Sequence, residues 1–215
     1  MIRVATWNIR HGRPRHGFAS NRRLAQAVAA LDVDVLGVQE VERRVVRSWF
    51  ADQPALVARA ADAADYRYAP ARRLALIGSD GVSVCVRGSV LEWTRLPIDD
   101  RVLLIVRTDL ASVACTHLEA NADAARRQLD RVLEVFASWP APRILLGDLN
   151  LCVDDVVPPL RQAGFELAGG GFSEPAWDPV QRIDHVAVDG FAITSVTTPE
   201  VAVSDHRPVR VELSS

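Results

Sequence analysis

Residues 143–150 read Arg-Ile-Leu-Leu-Gly-Asp-Leu-Asn. The aliphatic run Arg143–Leu146 has strand character, and Asp148 and Asn150 follow its end. Just upstream, Ala125, Leu129, Val132, Leu133 and Phe136 repeat at helical spacing after Asn121, a capping residue. Pro140 and Pro142 close that helix, expected over 122–136. The unit is helix, strand, then polar residues at the strand's end. In open α/β sheets that end faces the ligand crevice.

Working outward, the same arrangement recurs. Strands are expected at Ile2–Trp7, Val33–Gln39, Gly81–Val86, Val102–Thr108, Ser112–Thr116, Ile183–Val188, Phe191–Val196 and Val209–Leu213. Tyr66 and Tyr68 read as a further early strand. Leu24, Ala27, Val28 and Leu31 mark a helix in 22–31, and an Ala-rich helix is expected from Pro54 to Ala64. Helices interleave with strands, and 81–116 reads as consecutive strands. Mixed sheets covered by helices follow. Gly169-Gly170-Gly171 and the connection to Gln181 read as a loop, either surface or substrate-facing.

Polar residues mark the strand edges. Asn8 ends the first strand, Glu40 the second, and His117 closes Ser112–Thr116. Asp184 sits just inside a strand. Asp205 and His206 precede the last strand, and an antiparallel final strand would carry them to the same edge. Singly, each has a dull explanation: Asn8 or Asp148 as a turn residue, Glu40 as a helix-start acid before Glu42 and its arginines. Together they are harder to dismiss.

The chain of 215 residues suits one domain over 1–215 and needs no staples to fold. All 25 basic residues are Arg, which removes lysine-dependent phosphate-loop NTPases, kinases and Schiff-base enzymes. No Gly-x-Ser-x-Gly elbow and no His-x-x-x-His zinc pair occurs. Cys85, Cys115 and Cys152 lie far apart, the usage of reduced, mostly buried thiols in a cytoplasmic protein. The longest aliphatic run, Val102–Val106, is too short to span a membrane, and no protein partner is indicated. Net charge is −2, but residues 1–47 carry nine Arg against four acids. Arg10, His11, Arg13, Arg15 and His16 read as a solvated loop or an anion-attracting rim.

Thr-Trp-Asn-Ile-Arg (6–10), Val-Gln-Glu-Val (38–41), Thr-His-Leu (116–118), Gly-Asp-Leu-Asn (147–150), Arg-Ile-Asp-His (182–185) and Ser-Asp-His-Arg-Pro (204–208) resemble, in order, the motifs of the endonuclease/exonuclease/phosphatase superfamily. The resemblance implies an α/β fold, a four-layer α/β/β/α sandwich of two mixed sheets flanked by helices. It implies a metal-dependent hydrolase of phosphate esters. Glu40 would be the main metal carboxylate, with Asn8 and Asp205 near the same Mg²⁺ or Mn²⁺. Asp148 would activate or orient water, Asn150 would hold a phosphate oxygen, and His117 and His206 would contact the phosphoryl or leaving group, His206 oriented by Asp184.

Hard oxygen donors suit such ions, and phosphoryl transfer needs charge neutralisation and an in-line water. His117 argues against the abasic-site endonuclease branch. Asp80 and Glu119 are candidate partners for it by proximity in sequence, and His185 reads as a packing side chain. The expected reaction is phosphodiester hydrolysis, on nucleic acid or a small or lipid diester. A phosphomonoesterase and a non-catalytic binding module are the alternatives. Trp49, Phe50 and Trp177 are expected to be buried.

Overall fold

The computed structural model describes residues 1–74 and 78–215. Two six-stranded sheets face each other. The first has the order β11 (Ala192–Thr197), β12 (Val209–Ser214), β1 (Ile2–Asn8), β2 (Val35–Arg43), β4 (Gly78–Val86), β3 (Asp65–Leu74). The second runs β5 (Val90–Ile98), β6 (Arg101–Thr108), β7 (Ser112–His117), β8 (Arg143–Asp148), β10 (Asp184–Asp189), β9 (Glu166–Leu167). Each sheet has one parallel pair at its centre, β1–β2 and β7–β8, flanked by antiparallel neighbours.

Three apolar clusters divide the layers. Val4, Val84, Leu104, Val113, Leu146 and Val211 belong to the core between the sheets. Trp7, Leu36 and Val38 pack outward against Leu24 and Val28 of α1 (Asn21–Leu31) and Val57 of α2 (Gln53–Ala60). Ile105 and Leu145 pack outward against Leu129 and Phe136 of α3 (Ala122–Phe136) and Val156 and Leu160 of α4 (Val153–Gln162). Strands buried on both faces explain why the sequence shows continuous apolar runs instead of alternation. The four-layer α/β/β/α sandwich is the architecture expected from the sequence.

Asn121 caps α3 as expected, its side chain accepting from the Ala124 N–H at 3.0 Å. The final strand is antiparallel to β1, which carries Asp205 and His206 to the shared edge. Several expectations need correction. The Ala-rich helix ends at Ala60, four residues early. Glu42 and Arg43 continue strand β2 instead of starting a helix. Cys152 is exposed, unlike Cys85 and Cys115, and so are Trp49, Phe50 and Trp177. Helix α4 was not anticipated because Pro158 and Pro159 lie inside it. Burial of Val156 and Leu160 outweighs the two lost backbone bonds. No helix among the described residues is long and apolar enough to cross a membrane.

Candidate active site

The two central parallel pairs end at one rim. Asn8 closes β1, the Cα partner of Gln39 on β2. His117 and Asp148 are Cα partners at the ends of β7 and β8. Residues far apart in sequence thereby meet across the gap between the sheets.

Asp148 Oδ2 is the hub. It accepts from Asn8 Nδ2 at 2.9 Å, and lies 3.5 Å from His117 Nε2 and 3.8 Å from His206 Nε2. The other oxygen, Oδ1, accepts from the Asn150 N–H at 3.1 Å. Asn8 Nδ2 also reaches Glu40 Oε1 at 3.3 Å, and Asn8 Oδ1 accepts from the Arg10 N–H at 3.0 Å. Asn150 sits in left-handed backbone, φ 50°, and its Nδ2 donates to the Leu118 carbonyl at 2.9 Å, leaving a second amide hydrogen.

Glu40 is placed by a bulge. The β2–β4 register shifts between Val38 and Val41, and Glu40 adopts φ 51°. Strain of this kind, rare for a residue with a Cβ, turns the carboxylate to the rim. Close by, Gly81 on β4 is obligatory, since a Cβ there would stand 2.1 Å from the Ala69 carbonyl oxygen.

His206 Nδ1 shares a 2.8 Å hydrogen bond with Asp184 Oδ2. Its backbone carbonyl accepts from Trp7 Nε1 at 2.9 Å, and its N–H donates to Ser204 Oγ, so the ring is fixed from both sides. Burial disfavours the imidazolium, yet Asp184, Asp148 and Asp205 together outweigh it and raise the pKa to about 10. Burial, with the like charge of Asp148, pushes the Asp184 carboxyl up. Burial acts on Asp148 in the same direction, but the neighbouring imidazoles and the Asn8 and Asn150 donors hold it below the usual range, so it stays ionised. His117 is pushed down by burial, against the opposing pull of the Asp148 carboxylate.

Asp205 Oδ2 pairs with Arg10 at 3.0 Å. The candidate partners of His117 are otherwise engaged: Glu119 holds Arg101 at 2.8 Å, and Asp80 holds Arg72 at 3.2 Å. His117 faces Asp148 instead. His185 is a packing residue, its Nε2 donating to the Leu151 carbonyl at 2.8 Å. The loop after the triple glycine is tied to the site: the Ala176 N–H donates to the Asp205 carbonyl at 2.6 Å, and buried Ser173 lies beside Asp184.

Sequence reasoning missed one neighbour. His11, read as part of a solvated loop or an anion-attracting rim, is 5% exposed, and its Nδ1 lies 4.0 Å from Glu40 Oε2 and 3.9 Å from Glu42 Oε1. Neither ring nitrogen has a hydrogen-bond partner among the described residues. Its position directly after the Asn8 motif was the available signal.

Two donor sets could hold a cation. Asp148, Asp184 and His206 bring one ligand atom each within 4.8 Å of one another. Glu40, Asn8 and Asp205 offer hard oxygens beside them, and Glu40 has no arginine partner among the described residues. Counting carboxylates against the His206 imidazolium, the rim has an excess of negative charge, which a divalent ion fits.

No curated protein matches the chain in sequence. Among solved structures, an endonuclease/exonuclease/phosphatase from Beutenbergia cavernae is 24% identical with a TM-score of 0.79, over 99% of this chain and 71% of that one. A mannosyl-6-phosphatase from Bacteroides thetaiotaomicron is 17% identical, TM-score 0.77, with both chains covered fully. Truncated TDP2 from Caenorhabditis elegans is 19% identical, TM-score 0.70, over 100% of this chain and 97% of that one. These likenesses show the fold. The endonuclease/exonuclease/phosphatase family model matches residues 5–206, and the chain belongs to that family.

Proposed function

We propose that this protein is a divalent-metal-dependent phosphodiesterase, with residues 1–215 acting as one domain. The observation that carries the reading is the convergence of Asn8, Glu40, His117, Asp148, Asp184 and His206 at one rim. Family membership and the buried Asp/His cluster support metal-dependent phosphoester hydrolysis in general.

Glu40, Asn8 and Asp205 would hold the ion. A carboxylate and carboxamide oxygen set suits Mg²⁺ or Mn²⁺ better than zinc. His206 is a poorer ligand, because Nδ1 is committed to Asp184 and the ring carries a proton. When bound, the ion supplies charge neutralisation at the phosphoryl oxygens. Asp148, ionised, orients the attacking water and accepts its proton. Asn150 donates its second amide hydrogen to a phosphoryl oxygen without adding negative charge. The His206 imidazolium, fixed by Asp184, donates to another as charge develops. His117, its Nε2 3.5 Å from Asp148 Oδ2, would contact the phosphoryl or leaving oxygen.

Charge favours a diester. Arg10, Arg72 and Arg101, the guanidiniums around the rim, already have acid partners. A singly charged diester meets less repulsion from Glu40, Asp148, Asp184 and Asp205 than a doubly charged monoester. The solved structures of this fold include a mannosyl-6-phosphatase, so diester and monoester must be compared directly. Turnover of bis(p-nitrophenyl) phosphate against p-nitrophenyl phosphate, with Mg²⁺ or Mn²⁺ and with EDTA, tests both points. Diester turnover should require the metal and disappear in Asp148→Asn and His206→Ala. Turnover that survives in both variants refutes the assignment, and a monoester preference makes the protein a phosphatase.

A further inference from the structure

Two segments beyond the rim share one face. Residues 13–23 follow the left-handed turn at Arg10–Gly12, and residues 44–52 follow β2. The Trp49 indole N–H donates to the Ala19 carbonyl and Asn21 Nδ2 to the Ser48 carbonyl, each at 3.0 Å, so the two segments are fixed to each other. Phe18, Val46, Trp49 and Phe50 are 84%, 68%, 66% and 59% exposed. Large apolar side chains left uncovered together mark an interaction surface. Trp49 and Phe50 take consecutive left-handed backbone angles, φ 59° and 54°, a costly conformation for residues with a Cβ. Their N–H groups hold it, donating to the Val46 and Val45 carbonyls at 2.9 and 2.8 Å, and both aromatic side chains stay in solvent.

Charge supplies the second, independent signal. The same two segments carry six arginines against one acid, Asp52, in a chain whose net charge is −2. All six arginines are exposed, and Asp52 is taken by Arg43 at 3.1 Å. Arg47 is paired with Glu42, whereas Arg13, Arg15, Arg22, Arg23 and Arg44 have no acid partner among the described residues. Arg15 lies over the Trp177 ring at 4.8 Å and so joins a further exposed aromatic to the face. One sign of charge gathered around uncovered apolar side chains attracts an anionic surface.

A matching partner offers dense negative charge with hydrocarbon directly beneath it. A bilayer of anionic phospholipid does both, and it asks for no fixed geometry among arginines spread over two segments. Trp49 suits entry into an apolar phase, since its N–H is already satisfied within the protein. A nucleic-acid strand would satisfy the arginines and stack on the rings, but only hydrocarbon rewards burial of Val46 beside them. A second copy of the chain would set like charges against each other. We propose that this face docks on an anionic phospholipid bilayer, with Phe18, Val46, Trp49 and Phe50 entering the acyl boundary and the arginines lying among the headgroup phosphates. Docking here is independent of the phosphoesterase reading of the rim.

Co-sedimentation of the full chain with vesicles tests this, using phosphatidylcholine alone and equal parts phosphatidylcholine and phosphatidylglycerol. Binding to the anionic vesicles should be about tenfold or more tighter, and should weaken as salt screens the arginines. Tryptophan emission should shift to the blue on binding, and Trp49→Phe should remove most of that shift. Arg13→Gln with Arg44→Gln should cost about tenfold in binding to the anionic vesicles. Phe18→Ser with Phe50→Ser should also weaken it while leaving the urea midpoint unchanged, because both side chains are exposed. Absent binding, equal binding to both vesicles, or binding untouched by the phenylalanine pair overturns the proposal. So does a chain that ignores vesicles but binds a single-stranded oligonucleotide, or forms a dimer, through the same phenylalanines.

Discussion

Asp148 and Asp184 stand directly opposite each other on the antiparallel strands β8 and β10, and the His206 ring spans them, Nδ1 on Asp184 and Nε2 near Asp148. Two buried carboxylates so close would repel strongly without that shared imidazolium. One arrangement of three side chains therefore holds the His206 ring between two carboxylates and keeps Asp148 ionised.

Asp184→Asn keeps an oxygen for the His206 Nδ1–H but removes the charge that retains the second proton. We expect kcat to fall by about 10²–10³-fold, the range for a lost general acid or charge donor, with KM little changed. Steady-state kinetics on bis(p-nitrophenyl) phosphate checks this, and an unchanged kcat would detach His206 from the reaction.

Glu40→Gln should lose turnover by about 10²–10³-fold while its metal-free melting temperature stays level or rises, because a carboxylate facing Asp148 is relieved. Metal at about 100 times its Kd should stabilise the wild-type chain by about 2.7 kcal/mol and the variant by much less. Thermal melts with and without Mg²⁺ measure both. A large loss of stability in the variant would make Glu40 a structural residue.

Asp34 ties three strands together. Its carboxylate accepts from the Arg3 N–H at 2.8 Å and meets the Arg3 and Arg87 guanidiniums. Burial pushes its carboxyl up, but these donors outweigh burial and hold it below the usual range. Its stabilisation is then fully present above about pH 4 and lost as pH falls through the lower folded value. Asp34→Asn should cost about 1–2 kcal/mol at neutral pH, the gap to wild type closing in acid. Urea midpoints across the acid range measure that gap, and a constant gap contradicts the account.

Gly81→Ala should destabilise by about 1–3 kcal/mol, since the added methyl meets backbone on β3 and cannot rotate away. Displacing β4 would also move the bulge that carries Glu40, so activity should fall further than the fraction unfolded. Urea titration with parallel kinetics separates the two effects.

Much of this site can be read from the sequence because strand ends are physically marked. Apolar runs stop at polar residues, as at Asn8, His117 and Asp148, and the final strand has the antiparallel direction that brings Asp205 to the same edge. Edge elements were harder. Strand β5 carries Glu92, Arg95 and Pro97, tolerated because it borders its sheet and packs on one side alone. Helix α4 was hidden by its prolines. The exposure of Trp49 and the burial of His11 both go with short runs of left-handed backbone, at Trp49–Phe50 and Arg10–Gly12, which no periodicity encodes. Partner choice was equally hidden: only tertiary contact shows Glu119 held by Arg101 and His117 turned toward Asp148.

Gly37, at the centre of β2, faces Leu146 of β8 so closely that a Cβ would come within 2.9 Å of the leucine side chain. The gap between the sheets there is set by a hydrogen atom. Glu40 and Asn8 ride on one sheet, Asp148 and His117 on the other. Any side chain at position 37 would act as a wedge and spread the two halves of the candidate site, so the reach from Glu40 and Asn8 to Asp148 is gauged deep in the hydrocarbon interior, well away from the polar rim.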